Sequence, residues 1–581
     1  MTTPRVSADL LPPEPPPEAS QPGAVVWLRK NLFGSVASTI VSVVLGVALF
    51  FMLRGLLAYL FSDERLWEVI PRNATNYAIE GYPRPNITRI WVSLDIILFL
   101  AGVSMAVWKP SGMMSLASLA ATVRSIGTVL VLVGVLAPDT FESRFTVGVV
   151  GLVLIGLSFL GMRLSDRAAL ADRIPTLALI AGGAVLFLAV LWLLPLASTT
   201  QIPWTVGVGV AVIGHLVGRV LAARVASGPL RAIVTAVWLV SLPVIYLHIQ
   251  RNPEVDWDTV IGSWLPWIAG IVVVGVALIN LVSRSDRERA GVINALIVIA
   301  AVLVWTVDAP MVARALLLLL AVLSLATPTF GSSALGRRNM ALTWLAGAAF
   351  FSYIFVIGDA GTGLETRNEY YGGLNLTMML AAGGLLLSFP LGVLLALGRT
   401  STMPIFRLLS TGYIEVVRGV PLITVLFIAR FGILNFLPAE LEFDPNILVL
   451  GGITAFSAAY LAENVRGGLQ SIPRGQYEAA KALGMTTAQM TMLITLPQAL
   501  RAVIPAIVGQ VIALFKDTSL VAIVGLAEFF RVARDIVPNQ TNSLGSIIEN
   551  LLFAAAVYWI FTYNFSRASQ RLERRLGVGT R

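Results

Sequence analysis

Long apolar runs, most of about 17 residues or more, recur from one end of this 581-residue chain to the other and restrict its fold more than any other feature. Helices of that length match the hydrocarbon thickness of a bilayer and satisfy their own backbone groups where no water can. The expected fold is therefore an all-α polytopic membrane protein with about 16 transmembrane helices. About eleven come first, over 36–61, 90–108, 122–138, 146–163, 175–197, 203–222, 231–250, 264–283, 290–307, 311–328 and 340–358. The rest follow over 373–398, 420–437, 447–465, 501–524 and 546–565. Composition agrees, at 57% apolar and 13% charged residues, against about 25% charged in a typical soluble domain. The absence of cysteine excludes disulfides and thiolate metal sites.

Charge orients these spans. Residues 1–24, rich in Pro, Glu and Ser, are expected to form a disordered cytoplasmic tail. No apolar core followed by a small-residue cleavage site marks a removable signal, and the first apolar run is long enough to stay as an anchor. Arg29 and Lys30 precede that run and hold the N-terminus inside. Alternation then places Lys109 and Arg124, Arg163 and Arg167, Arg219 and Arg224, Arg284 and Arg287, and Arg337 and Arg338 in inner loops. Outer loops carry mostly acids, such as Asp139 and Glu142, Glu254 to Asp258, and Glu440 to Asp444. The 62–89 loop mixes both signs. The net charge of +9 is spread among loops, which reads as topology and not as nucleic-acid binding. His215 and His248 are too far apart in sequence for a metal cluster, and His215 is expected to make a hydrogen bond inside the bundle. Residues 25–360 thus form an N-terminal extension of about eleven spans, whose 110–340 portion reads as a lipid-facing scaffold.

The main polar interruption is 463–500, between two apolar runs and, by the same alternation, on the inner side. Good helix formers run from Gln476 to Leu483, and Gly484 stands where a left-handed cap would end the helix. Thr486 and Gln489 have capping-box spacing, and Pro497 and Pro505 bracket the start of the next span. The pattern predicts two short helices joined by a glycine elbow at the membrane face.

The segment EAAKALG followed by ITLPQALR closely resembles the EAA loop of ABC-importer permeases. YIEVVRGVPLITVLF at 413–427, YLAENVRGGLQSIPRGQ at 460–476 and KDTSL at 516–520 resemble the polar amino acid permease subfamily. Its substrates include glutamate, glutamine, histidine and arginine. These ordered motifs lie within the last third of the chain. The resemblance implies a five-helix ABC importer permease domain over 365–581, with 463–500 as the coupling loop that rests in a groove of an ATPase subunit. The first two spans, with WLRKNLF at 27–33 and the 62–89 loop, resemble the N-terminal part of the larger general L-amino acid permeases.

No chemistry-bearing constellation competes with this reading. GxxxxGK[ST] and HExxH are absent, so the chain carries no ATP site of its own and no zincin motif; no cofactor is expected on it. Glu478 would hold donors of the ATPase, Ala479 and Ala480 would allow close approach, and Gly484 would permit the elbow. Arg474 and Lys481 would meet acidic ATPase surface or lipid head groups, and Leu496 and Pro497 complete the motif. Glu415 and Arg418, spaced i, i+3 in a segment like the family's cytoplasmic elbow, are expected to pair with each other or to gate. Lys516, Asp517, Thr518 and Ser519 at the end of an apolar run are candidates for the translocation path, or for a structural ion pair at a helix break.

The function expected is a permease subunit of a binding-protein-dependent importer of polar L-amino acids in a bacterial inner membrane, with both termini cytoplasmic. Its implied partners are an ATPase dimer carrying ATP and Mg, a second permease subunit and an extracytoplasmic binding protein docking on 437–446, 525–545 and 62–89. Membrane lipid surrounds it; nucleic acid is not a partner. Two rivals are an ABC importer for another small solute and a secondary transporter or channel in the N-terminal spans. The second lacks intramembrane acids to couple protons, apart from Asp95, with Arg54 as the other charge.

Overall fold

The computed structural model describes residues 31–60, 65–108, 144–167, 174–193, 198–330, 334–358, 372–433 and 444–576, with shorter pieces between them. The tail 1–24, most of the span expected at 122–138 and the outer stretch 437–443 lie outside the described residues. Described residues within Met1–Arg65 and Ser115–Asp172 form one compact unit, and those within Leu66–Met114 and Arg173–Arg581 another.

In chain order the helices are α1 (Val36–Leu60), α2 (Val69–Arg72), α3 (Ala74–Ile79), α4 (Ile87–Trp108), α5 (Arg144–Arg167), α6 (Thr176–Leu193) and α7 (Ser198–Arg224). Then come α8 (Ser227–Gln250), α9 (Leu265–Arg284), α10 (Arg287–Leu303), α11 (Met311–Phe330), α12 (Ala334–Gly358), α13 (Gly373–Thr400) and α14 (Pro404–Gly419). The last are α15 (Leu422–Phe427), α16 (Pro445–Gln470), α17 (Arg474–Ala482), α18 (Thr487–Met490), α19 (Leu496–Asp517) and α20 (Ile547–Leu576). Two short antiparallel pairings, Met113–Met114 with Ile174–Pro175 and Arg251–Val255 with Gly361–Gly363, are the strands among the described residues.

Eleven helical segments among the described residues are long and apolar enough to cross a membrane, and twelve if the bent pair Pro404–Gly419 and Leu422–Gly432 counts as one span. The expectation of about 16 is thus met only in its coarser form. Helix α1 and helix α5 carry shorter apolar windows, Val36–Met52 and Gly148–Leu160.

In the extension, α9, α11 and α12 pack around fully buried Leu316, Leu320 and Trp344, whose indole N–H donates to the Val272 carbonyl at 3.1 Å. Helices α4 and α7 cross so closely that a Cβ on Gly102 or Gly214 would strike the facing backbone, at Ala211 and Phe99 respectively. Small residues at such crossings replace the hydrophobic drive that lipid does not supply. His215 is buried on α7, but its Nδ1 has no hydrogen-bond partner, so the bond expected there is not made at that nitrogen.

Proline sets the geometry of the C-terminal spans. Pro404 occupies the first turn of α14, where its missing N–H costs nothing. Val420, forced extended by Pro421, ends that helix, and the chain turns by 107° into the following segment. Helix α16 is the most enclosed span, with Ile453, Ala458, Leu461, Ala462 and Val465 all buried. It also runs past the predicted end of its span, so 463–470 is helix and not loop.

The 62–89 segment departs most from expectation. Rather than forming a free outer surface, it sends Val69 and Tyr77 into a core with Phe529, Val532, Ala533, Val537 and Ala554. The Tyr77 hydroxyl donates to Asn550 Oδ1, and the Glu80 carbonyl accepts the Gly372 N–H at 2.6 Å. Residues 66–80 therefore close the same end of the bundle as the chain between α19 and α20. The intervening spans leave and return at adjoining points, Glu80 and Gly372.

Candidate functional site

The 471–495 stretch folds as its residues dictate. Helix α17 ends in a paired-bond glycine cap: Gly484 has φ +72°, its N–H bonds the Lys481 carbonyl at 2.9 Å, and the Met485 N–H bonds the Ala480 carbonyl at 3.1 Å. The Thr486 Oγ1 then accepts the Gln489 N–H at 3.3 Å while Gln489 Oε1 accepts the Thr486 N–H at 3.0 Å, which is the predicted capping box. The second helix is not short, however. Helix α18 passes through a π turn over Thr491–Thr495 directly into α19, forming one continuous rod. The π turn accommodates Pro497, which lacks the N–H of a regular ladder, so the proline marks a wider turn and not the start of the span.

The loop has two faces. Arg474, Glu478, Ala479 and Lys481 are exposed, as are Gly484 and Pro497. Ala480, at 1% exposure, and Leu496 point into the protein and brace the loop from within, so the close-approach role expected of Ala480 is not available at the surface. Tyr477 shares that inner face and donates to the Leu469 carbonyl at 3.2 Å. Sequence reasoning missed Leu483, which is 79% exposed on the elbow next to Gly484. Its only sequence signal is an apolar residue interrupting an otherwise polar helix end.

Beside the loop lies a charge cluster that differs from the expected pair. Glu415 and Arg418 do not bond each other. Arg399, in the last turn of α13, donates to Glu415 and to Glu463, each at 2.7 Å, while Arg418 reaches Glu463 at 3.5 Å. Arg466 closes the set with a bidentate hold on Glu463, its Nη2 at 2.8 Å. The helix register explains this, because α14 packs across α13 and α16 and presents both charges to those neighbours.

At the other end of the bundle the KDTSL residues terminate α19. The Thr518 and Ser519 hydroxyls donate back to the Phe515 and Lys516 carbonyls at 2.7 and 2.8 Å. They therefore satisfy the last carbonyls of α19 where the rod tightens into a 3-10 turn over Thr518–Val524. Lys516 is exposed and Asp517 half-buried. Nearby, Glu528 was missed altogether. Its carboxylate, with no solvent exposure, accepts the Phe530 and Arg531 N–H groups at 2.7 and 2.8 Å and hydroxyl donors from Thr377 and Tyr558 at 3.4 and 3.3 Å. Burial pushes its pKa up to about 7, against the lowering effect of those donors.

A bundle of helices long and apolar enough to cross a membrane, with a capped helix–glycine–helix knob at one end, defines a multi-pass membrane protein. Residues 388–578 match the family described as binding-protein-dependent transport system inner membrane component. The chain belongs to this family. It is 46% identical over 236 residues to the inner membrane amino-acid ABC transporter permease protein YhdY of Escherichia coli K12, covering 41% of this chain and 61% of that one. It is 43% identical over 245 residues to the glutamate/glutamine/aspartate/asparagine transport system permease protein BztC of Rhodobacter capsulatus, covering 42% and 56%. These matches span little more than half the length of both relatives. The glutamate/aspartate import permease protein GltK of Escherichia coli is 38% identical over 208 residues, which cover 35% of this chain and 91% of that one. A crystal structure of an amino acid ABC transporter with histidines is 30% identical, covers 35% of this chain and 92% of that chain, and superposes with a TM-score of 0.32.

Proposed function

We propose that the chain is a permease subunit of a binding-protein-dependent ABC importer that moves polar L-amino acids into the cytoplasm. Acidic amino acids and their amides are the leading candidates. The observation that carries this reading is the likeness to the glutamate/aspartate permease, which extends over 91% of that relative's length. A transport role without catalysis on this chain fits a site built from a docking knob.

In this reading ATP and Mg belong to a partner ATPase dimer. Glu478, flanked by Arg474 and Lys481, offers that partner charge, Ala479 permits close approach, and Leu483 supplies an apolar knob for a groove. Loop basicity supports a cytoplasmic position for this knob and for both termini. A second permease subunit, identical or homologous, completes the path, with Lys516 and Asp517 as polar groups proposed to line it. The permease unit is proposed to be discontinuous, combining 66–80 with 372–576, and not 365–581 alone. A binding protein would meet the exposed outer residues around Thr541, Asn542 and Leu544.

ATP-driven uptake by proteoliposomes holding the partner subunits and binding protein, across a panel of labelled amino acids, tests the proposal. Uptake should require ATP and binding protein and fall in Gly484→Val and Glu478→Ala variants that still insert. Uptake indifferent to the ATPase and to both substitutions would refute it.

A further inference from the structure

We propose that Glu463 is a positioning residue that makes the elbow helix α14 follow the coupling loop, so that displacement of the loop reaches the span beginning at α15. The inference rests on the importer reading above. Helix α16 carries Glu463 and continues without a break to Gln470, after which only Ser471 to Pro473 separate it from α17. Movement of α17 is therefore delivered to the end of α16 that holds this carboxylate.

Beneath the charges, α13, α14, α16 and α19 meet through Ala396, Ile414, Ala462, Val465, Leu469, Leu496 and Ala499. Three alanines among them make a smooth contact, along which helices can slide unless something above them resists. The ionic layer supplies that resistance. Arg399 uses one guanidinium nitrogen for Glu463 on α16 and the other for Glu415 on α14, both at 2.7 Å. Arg418 adds a second tie from α14 to Glu463 and rests over the Tyr460 ring, 5.4 Å from its centroid. The planar fork of arginine spans two carboxylates on different helices, which a lysine ammonium cannot do in the same way. Glu463 is only 16% exposed, so its bonds are screened less than those of a surface pair. From α14 the chain turns through 107° at Pro421 into α15, where Leu422 and Leu426 pack against Leu376, Leu514 and Val521. A tilt of α14 is thus levered into the bundle core.

The chain has no cysteine, and Gly412 on α14 and Gly475 on α17 both have open space for a side chain. A Gly412→Cys, Gly475→Cys protein can therefore be spin-labelled and assembled with its ATPase and binding protein. Pulsed EPR should give one narrow distance distribution, the same in the nucleotide-free and vanadate-trapped complexes. Glu463→Gln and Arg399→Lys should each broaden it in the trapped state and lower amino acid uptake per ATP hydrolysed by about tenfold. Co-purification of the ATPase with every variant separates these effects from failed assembly. Distributions and uptake per ATP that match the parent in both variants would overturn the proposal, as would a parent distance that changes on trapping. A parent chain that neither binds the ATPase nor supports ATP-driven uptake would overturn the importer reading, and this inference with it.

Discussion

The two ends of the permease bundle handle polar groups in opposite ways. At the end away from the knob, Glu528, Asn550, Thr377 and Ser546 are fully buried and bonded, and aromatic rings close over them: Tyr77 and Phe529 each lie edge-on to Phe553, at 4.9 and 6.0 Å between centroids. At the knob end the charges of Arg399, Glu415, Arg418, Glu463 and Arg466 are partly solvated and shared among three helices, above a contact of three alanines with Ile414, Val465, Leu469 and Leu496. A buried, fully bonded network is rigid because losing any member strands its partner. A partly buried ion-pair net instead keeps its helices in register with one another, so that they can move as a group. The bundle is thus built stiff at the end away from the knob and adjustable as one unit where the knob sits.

The sharpest way to break this contrast is to substitute Tyr77, which comes from the N-terminal part of the chain yet sits in the core around Phe529. Tyr77→Ala should destabilise the permease unit by about 3–5 kcal/mol, through a cavity and an orphaned Asn550. Thermal melting in detergent reads it, with Ile40→Ala on an exposed face of α1 as the comparison, expected to shift stability by less than about 0.5 kcal/mol. Equal effects would mean that 66–80 is not part of that core.

Glu528 gives the second test. Its folded pKa, raised to about 7, exceeds its ordinary value of 4.5, so the folded state binds the extra proton between those values. Stability from this group is full below about pH 4.5 and is lost as pH rises through about 7, a change of about 3 kcal/mol. Melting temperature should fall between pH 5 and 8 in the parent and flatten over that window in Glu528→Gln. An unchanged slope in the variant would assign the pH dependence elsewhere.

How much of this was legible depends on how local the determining physics is. Gly484 and the Thr486–Gln489 box were readable because both motifs act within six residues. The bend after Gly419 was implicit in Pro421, whose ring restricts the residue before it. The partners of Glu415 and Arg418 were not legible, since an i, i+3 spacing permits a bond while tertiary packing chooses another. Burial of Ala480 and Leu496 likewise depends on which face of the loop meets α16. Glu528 carried no signal: a lone glutamate in an outer loop looks solvated until Thr377 and Tyr558, distant in sequence, close over it.

The glycine elbow of the knob should show a smaller effect. At φ +72° a β-branched side chain is strained, so Gly484→Val should cost about 1–2 kcal/mol, although a Cβ there meets nothing within 4 Å. The penalty is conformational and not steric. Gly484→Asn, which tolerates the left-handed region, should recover much of it in the same melting assay. A valine variant as stable as the parent would mean that the elbow has another conformation open to it.

The smallest effect should come from the restart of the helix after the elbow. Thr486→Ala removes the acceptor of the Gln489 N–H, and Thr486→Ser keeps it, so alanine should cost about 1 kcal/mol and serine a few tenths. Because α18 continues through the π turn into α19, the loss should appear as faster amide hydrogen exchange confined to 487–491, with the rest of the rod unchanged. Exchange that quickened as far as α19 would show the knob and the span melting together. That would erase the distinction between an adjustable knob end and a stiff bundle.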